Sequence, residues 1–238
     1  MPQSGINCSA TRGADIRSRL ENRTKIMTFN YELDFIRHRY DHLASIYPVF
    51  NLVFWLPSGI RARAAKRLEL KAGDRVLEVG CGTGRNLRWL VQAVGPSGDV
   101  FGVDCSEGML AKARRLSHRH QWANVHLTQQ DAAEMVLPGQ VDGVLFSLCY
   151  TVMPEPRASL AQAWKCLRPN RHVVIMDGKL AHGRLGSLSR PFVTWVSKAT
   201  VLGEPDRQPW EDLKRVTPKV EMEEINLGTY YVCRGTKL

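Results

Sequence analysis

At 238 residues the chain is long enough to bury one full core without disulfide staples, and 44% hydrophobic and 24% charged residues describe an ordinary globular composition. No apolar run approaches the ~20 residues that span a bilayer, and the opening thirty residues hold no apolar signal core. The formal net charge of +10 suits anionic partners such as nucleic acid, acidic lipid or phosphate-bearing ligands, and equally fits a solvated basic surface.

Residues 1–33 read as a disordered basic tail with Arg12, Arg17, Arg19, Arg23 and Lys25, and Met27 offers an internal start that would make the preceding stretch a gene-calling artefact. Residues 34–238 read as one domain. Its first part, 34–70, is a helical cap: a helix over 34–46, a break at Pro48, an apolar piece from Val49 to Leu56, and a helix capped by Ser58 that runs to about Leu68. Strands are then predicted over 75–79, 99–103, 125–129, 143–148 and 172–177, with helices over 84–94, 106–117 and 157–167 between them. Alternation at this spacing predicts a parallel sheet with helices on both faces. Residues 181–216 form an irregular aromatic-rich insert. Strands over 219–226 and 229–234, joined at Leu227-Gly228, predict a terminal antiparallel hairpin at the sheet edge. The expected fold is α/β, a Rossmann-like seven-stranded sheet, mostly parallel, with helices on both faces.

Six cysteines (Cys8, Cys81, Cys105, Cys149, Cys166 and Cys233) are scattered singly, with no CxxC pair, so neither a disulfide framework nor a metal site is expected. His38 and His42 share a helix face but have no further ligands at metal spacing. Thiols in apolar strands suit a reducing, cytoplasmic setting.

The most informative stretch is Val76-Leu77-Glu78-Val79-Gly80-Cys81-Gly82-Thr83-Gly84-Arg85-Asn86. An apolar strand runs into three alternate glycines and then a helix. Glycine lets the backbone turn sharply and approach a ligand closely, and the helix N-terminus adds free N–H groups. The spacing is GxGxG, not the GxGxxG of dinucleotide binders. The second strand ends at Asp104, placed to accept ribose hydroxyls, as in dinucleotide folds, or to cap the following helix. The third ends at Asp131-Ala132, where a carboxylate suits an exocyclic amine and the next N–H a ring nitrogen, or where Asp131 caps the next turn. Glycines and acids at three consecutive strand tips line the edge where open α/β sheets bind ligands.

These blocks resemble the motifs of class I S-adenosylmethionine-dependent methyltransferases. VLEVGCGTG matches their first motif, GVDCSEGMLAKAR the second and QQDAAE the third, and VDGVLFSLCYTVMPEPRASLAQAWKCLRPNRHVVIMD resembles the fourth and fifth. The resemblance covers roughly Arg39 to Lys179. It implies S-adenosyl-L-methionine as cofactor, with Gly80 and Gly82 meeting the methionine moiety, Glu78 orienting the loop and the ligand amine, and Asn86 at the carboxylate end. It also implies Asp104 on the ribose, Cys105 and Met109 beside the adenine, Asp131 and Ala132 on its edge, and Ser147 near the sulfonium. Cys81 lies within the same loop. Upstream, Tyr40-Asp41-His42-Leu43-Ala44-Ser45-Ile46-Tyr47, with Asn51 and Ser58-Gly59-Ile60-Arg61, is similar to the opening helix of ubiquinone/menaquinone-biosynthesis methyltransferases and bacterial phospholipid N-methyltransferases, whose tyrosines close over the cofactor. Three departures stand out: Pro48 replaces an aspartate, Asn170-Arg171 replaces Gly-Gly, and the first motif is not the DLAGGTGD of the quinone enzymes.

Methyl transfer from a sulfonium is an in-line displacement that needs alignment more than acid catalysis. No residue pair announces a strong base; Tyr47 and Tyr150 are the candidate polar groups on the acceptor side, each equally readable as a core aromatic. Val49–Leu56 with Arg61 and Arg63, and Arg190-Pro191-Phe192-Val193-Thr194-Trp195-Val196 with Lys198, place apolar groups beside positive charge. That suits a small lipophilic substrate or lipid, methylated at carbon or nitrogen, and peripheral contact with an anionic membrane. Ordinary lid packing explains the same segments. The alternatives are a small soluble amine or hydroxyl acceptor, RNA modification, and SAM binding without catalysis. A nucleic-acid partner is not expected, because Phe146-Ser147-Leu148-Cys149 stands where a [DN]PP[YF] signature would. The oligomeric state is not legible.

Overall fold

The computed structural model describes Arg37, His38, Tyr40, Leu56, Gly203, and residues 58–180 and 207–238. The basic tail, Tyr47, His42, most of the helix over 34–46 and most of the insert over 181–216 lie outside the described residues.

Among the described residues one sheet holds seven strands: β1 (Arg75–Val79), β2 (Asp99–Asp104), β3 (Val125–Gln129), β4 (Val141–Ser147), β5 (Leu167–Gly178), β6 (Val220–Ile225) and β7 (Tyr230–Thr236). Their order is β3-β2-β1-β4-β5-β7-β6. The first five are parallel, and β7 runs antiparallel between β5 and β6. Helices α1 (Ile60–Lys66), α2 (Leu87–Val94), α3 (Glu107–Arg119), α4 (Pro156–Cys166) and α5 (Pro209–Val216), with a 3-10 turn at Tyr150–Val152, complete a Rossmann-like α/β layer structure.

Period-two alternation divides the core between the two faces of the sheet. Leu77, Val79, Val144, Phe146, Val173 and Ile175 pack on one face with Leu160 and Leu213. Val76, Leu145, Val174 and Met176 pack on the other with Ile60, Leu87 and Leu90. β4 is buried along its whole length, as expected of a central strand covered on both faces.

The element boundaries move for local reasons. Gly59, left-handed at φ 79°, occupies the N-cap of α1, so Ser58 sits one residue too early and makes no capping bond. α2 begins at Leu87 rather than 84, because Gly80, Gly82 and Gly84 all hold positive φ. α3 has the expected cap, with the Ser106 hydroxyl accepting from the Met109 N–H at 3.1 Å. β5 begins five residues early, but its pairing with β4 shifts between Val141 and Gly143, and Asn170 takes the left-handed conformation at φ 60°.

Candidate functional site

The parallel strands end at one edge, and their tips open on a cleft. Tyr40, Gly80, Cys81, Gly82, Asn86, Asp104, Cys105, Met109, Asp131, Ala132 and Ser147 all line it. Adjacency of β3, β2, β1 and β4 brings the positions from Gly80 to Ser147, spread over nearly seventy residues of chain, to one place.

The glycine loop divides its labour. An added Cβ at Gly80 would lie 2.7 Å from the Cys149 Cβ, and one at Gly84 2.7 Å from Leu87 Cδ1, so both allow close packing inside the protein. At Gly82, with φ +55°, an added Cβ would meet nothing within 4 Å. Its bare backbone faces open space, which leaves room for a ligand against the main chain.

Asp104 ties the loop to β2. One carboxylate oxygen accepts from the Gly82 N–H at 2.8 Å and the other from the Ser106 N–H at 2.9 Å. One Asp131 oxygen accepts from the Ala133 N–H at 2.9 Å, so this residue caps the following turn while lining the cleft. The cleft thus joins an acidic flank at Asp104 and Asp131 to a basic one at Arg61 and Arg85.

Glu78 does not line the cleft. It shares a face of β1 with Val76 and is fully buried under the α1–α2 layer. The Asn86 amide donates to its Oε1, while its Oε2 has no partner. Burial pushes its carboxyl up to about 7, against the lowering effect of Asn86 and of the nearby Arg61 charge. Asn86 is itself almost fully buried and accepts from Arg61 Nη1 at 3.0 Å. Arg61 Nη1 also donates to the Ser147 hydroxyl at 3.3 Å. The predicted acceptor-side arginine therefore lies inside the cleft. Sequence reasoning did not give its bonds to Asn86 and Ser147, because these lie 25 and 86 positions away. Its place directly after Ser58-Gly59-Ile60 was the available signal.

Tyr150 is a correction. Its ring is fully buried against Phe146, and its hydroxyl donates to Asp212 at 3.2 Å, which turns it away from the cleft. Burial and the Asp212 charge push the phenol further up. Around it, Asp212 also accepts from Arg157 at 2.8 Å. Asp177 accepts from the Thr151 N–H and hydroxyl at 3.1 and 3.0 Å, and Arg207 donates to the Met153 carbonyl at 2.7 Å. This polar cluster holds the loop after β4, whose Cys149, Val152, Met153 and Pro154 form a further wall absent from the sequence reading. Burial drives the Cys81 and Cys149 thiols well above their ordinary range and Cys105 to about 12. These side chains are therefore protonated, weakly polar walls.

A methyltransferase-domain family profile matches residues 76–170. A demethylmenaquinone methyltransferase of Geobacillus sp. (strain WCH70) is 29% identical over 143 residues, 60% of this chain and 59% of that protein. The chain thus spans about three fifths of the length of that relative. An aklanonic acid methyltransferase of Streptomyces sp. (strain C5) is 26% identical over 205 residues, covering 85% of this chain and 92% of that one. Among solved structures, phosphoethanolamine N-methyltransferase 2 of Haemonchus contortus in complex with S-adenosyl-L-methionine superposes with a TM-score of 0.59 at 26% identity, over 71% of this chain and 39% of that chain.

Proposed function

We propose that this chain, a class I S-adenosylmethionine-dependent methyltransferase by its sheet order and motif set, methylates a lipophilic small molecule or lipid. The observation that carries the cofactor assignment is the cleft at the strand tips, where Gly82 leaves bare backbone and Asp104 and Asp131 stand on the neighbouring tips. These features suit the parts of S-adenosylmethionine in turn. Asp104 would receive the ribose hydroxyls, Asp131 and Ala132 the adenine edge, and Cys105 and Met109 the faces of the base. Gly80 and Gly82 would admit the amino-acid arm, and Ser147 would stand near the sulfur.

When bound, the cofactor supplies an electrophilic methyl group on a sulfonium. The chain's own contribution is alignment and a dry environment. Leu148, Cys149, Val152, Met153 and Pro154 form an apolar wall on the side of β4. A lipophilic acceptor accords with the apolar wall and with the quinone acceptor in the name of one relative. The +10 charge would draw the enzyme to an anionic bilayer holding such an acceptor.

The test is incubation with methyl-labelled S-adenosylmethionine and a total lipid and metabolite extract, with the lipid fraction also presented in anionic and in zwitterionic vesicles. Label in a quinone or lipid, transferred faster from anionic vesicles, is the expected outcome. Label in a soluble amine or hydroxyl compound would overturn the lipophilic acceptor. A purified protein binding neither S-adenosylmethionine nor S-adenosylhomocysteine would overturn the activity itself.

A further inference from the structure

We propose that the C-terminal half of α3 and the edge strand β3 form a docking surface for single-stranded nucleic acid, remote from the cleft and separate from the methyl acceptor.

Between Glu107 and Asp131 the chain holds no acid, yet it carries Lys112, Arg114, Arg115 and Arg119 together with His118, His120 and His126. Arg114, Arg115, His118, Arg119 and His120 are all exposed. Two of the cations have local partners, Arg114 in Glu107 and His126 in Asp99. Basic residues in a last helical turn answer the helix dipole, but that effect fades within the turn, and Arg114 and Arg115 stand a turn earlier. A groove runs between α3 and β3, lined by Arg114, Ser117, His118, Gln121, Trp122 and Leu127 among others, and no acid lines it among the described residues.

The second observation is a flat platform beside this charge. The exposed His120 ring stacks on Trp122, with centroids 4.8 Å apart and planes 14° from parallel. Single strands are held by a cationic groove that tracks the backbone and by rings on which bases stack. β3 also ends the sheet, with β2 as its neighbour among the described residues, so its outer main-chain groups face the groove side.

Location and composition favour this partner over a bilayer. α3 starts beside the strand tip at Asp104 and returns along the sheet. Asn124, just past Trp122, donates to the Gly95 and Gly98 carbonyls at 2.9 and 2.7 Å, in the turn that leads into β2. The basic end therefore lies at the edge opposite the cleft, and a membrane bound there would face away from it. Among the described residues, none of the large apolar side chains that stand exposed lies between Arg114 and Leu127, so this face has no wedge for the acyl region. The missing base-acceptor signature after β4 bears on the cleft and not on this surface.

The test is fluorescence anisotropy of the full chain with a labelled single-stranded RNA of mixed sequence, titrated with salt at mildly alkaline pH, where an imidazole is ordinarily neutral. Arg115→Gln combined with Arg119→Gln is expected to weaken binding about 10- to 30-fold and to lower the slope of log K against log salt by about 1.4, for two phosphate contacts. His120→Ala should weaken binding at least about 5-fold with the slope unchanged, as lost stacking does. Lys214→Gln combined with Lys219→Gln, an equal loss of charge elsewhere, should change little. Circular dichroism checks the fold of each variant. A wild type that ignores the RNA, or whose binding has no salt slope, would overturn the proposal whatever the variants do. Equal weakening by the control pair would reduce it to net charge. Polyglutamate competing as well as RNA would point to an acidic protein instead, and anionic vesicles bound through the same arginines more tightly than RNA would point to lipid; either result sinks the nucleic-acid assignment. None of these outcomes touches the cofactor reading, which S-adenosylhomocysteine binding tests separately.

Discussion

Two glycines one residue apart do different work. Gly80 is needed because Cys149 packs against its α-carbon, whereas Gly82 borders open space. Gly80→Ala is therefore expected to lower Tm. Gly82→Val forces a branched residue into φ +55°, costing about 1–3 kcal/mol, but its side chain enters the cleft and not the core. Circular dichroism should show a folded variant, and calorimetry should show S-adenosylhomocysteine binding abolished. A Gly82→Val protein with wild-type affinity would contradict the ligand's approach to this backbone. Both glycines were legible in the GxGxG spacing, but their separate duties were not, since Cys149 lies about seventy residues away. Arg61 and Tyr150 show the same limit: the arginine read beside the acceptor also bonds Asn86 and Ser147 inside the cleft, and the tyrosine read as facing the acceptor is spent on Asp212.

At the scale of elements, the loop between β4 and α4 is the part of the cleft wall that depends most on distant partners. Its 3-10 turn is tied down by Asp177 at the end of β5, which receives the Thr151 N–H, the Thr151 hydroxyl and, at 2.9 Å, the Gly178 N–H. Asp177→Ala leaves those donors buried and unmet. A cost of about 2–4 kcal/mol is expected in urea unfolding, with weaker cofactor binding because Val152 and Met153 lose their support. A loss below about 0.5 kcal/mol would show that the loop holds itself. Strands β1 and β3 were legible to the residue, because apolar periodicity and flanking turn residues agree there. The early start of β5 was not, since Leu167 pairs with Val141 across a register shift.

Across the whole molecule, burial and surface pairing pull stability in opposite pH directions. Glu78 and Asp177 have carboxyls raised by burial, to about 7 and about 6. A raised carboxyl stabilises the fold below its unfolded value, and that contribution is lost as pH climbs through the folded value. Glu69, Glu221 and Glu223, held below the ordinary range chiefly by hydrogen bonds from Arg234 or Arg67, contribute above the ordinary range and lose that contribution in acid. His172, lowered by burial, also favours the fold toward higher pH. For Glu78 the rise from 4.5 to about 7 corresponds to about 3 kcal/mol. Glu78→Gln should thus gain stability relative to the unliganded wild type between pH 5 and pH 8, read from urea midpoints at both. Parallel pH profiles for the two proteins would contradict the desolvation of this buried carboxylate.

Local pattern alone determined the strand-and-helix alternation, the glycine loop and the acids at consecutive strand tips, because each depends on neighbours within a few residues. The antiparallel hairpin was legible for the same reason, with turn residues between two alternating strands. Only the tertiary structure decided which side chains meet. The β3-β2-β1-β4 order gathers Gly82, Asp104, Asp131 and Ser147 at one edge, and α1 brings Arg61 to Asn86 above the buried Glu78. Such pairings turn on the direction of each side chain after packing, and periodicity along the chain carries no information about contacts between segments far apart in sequence.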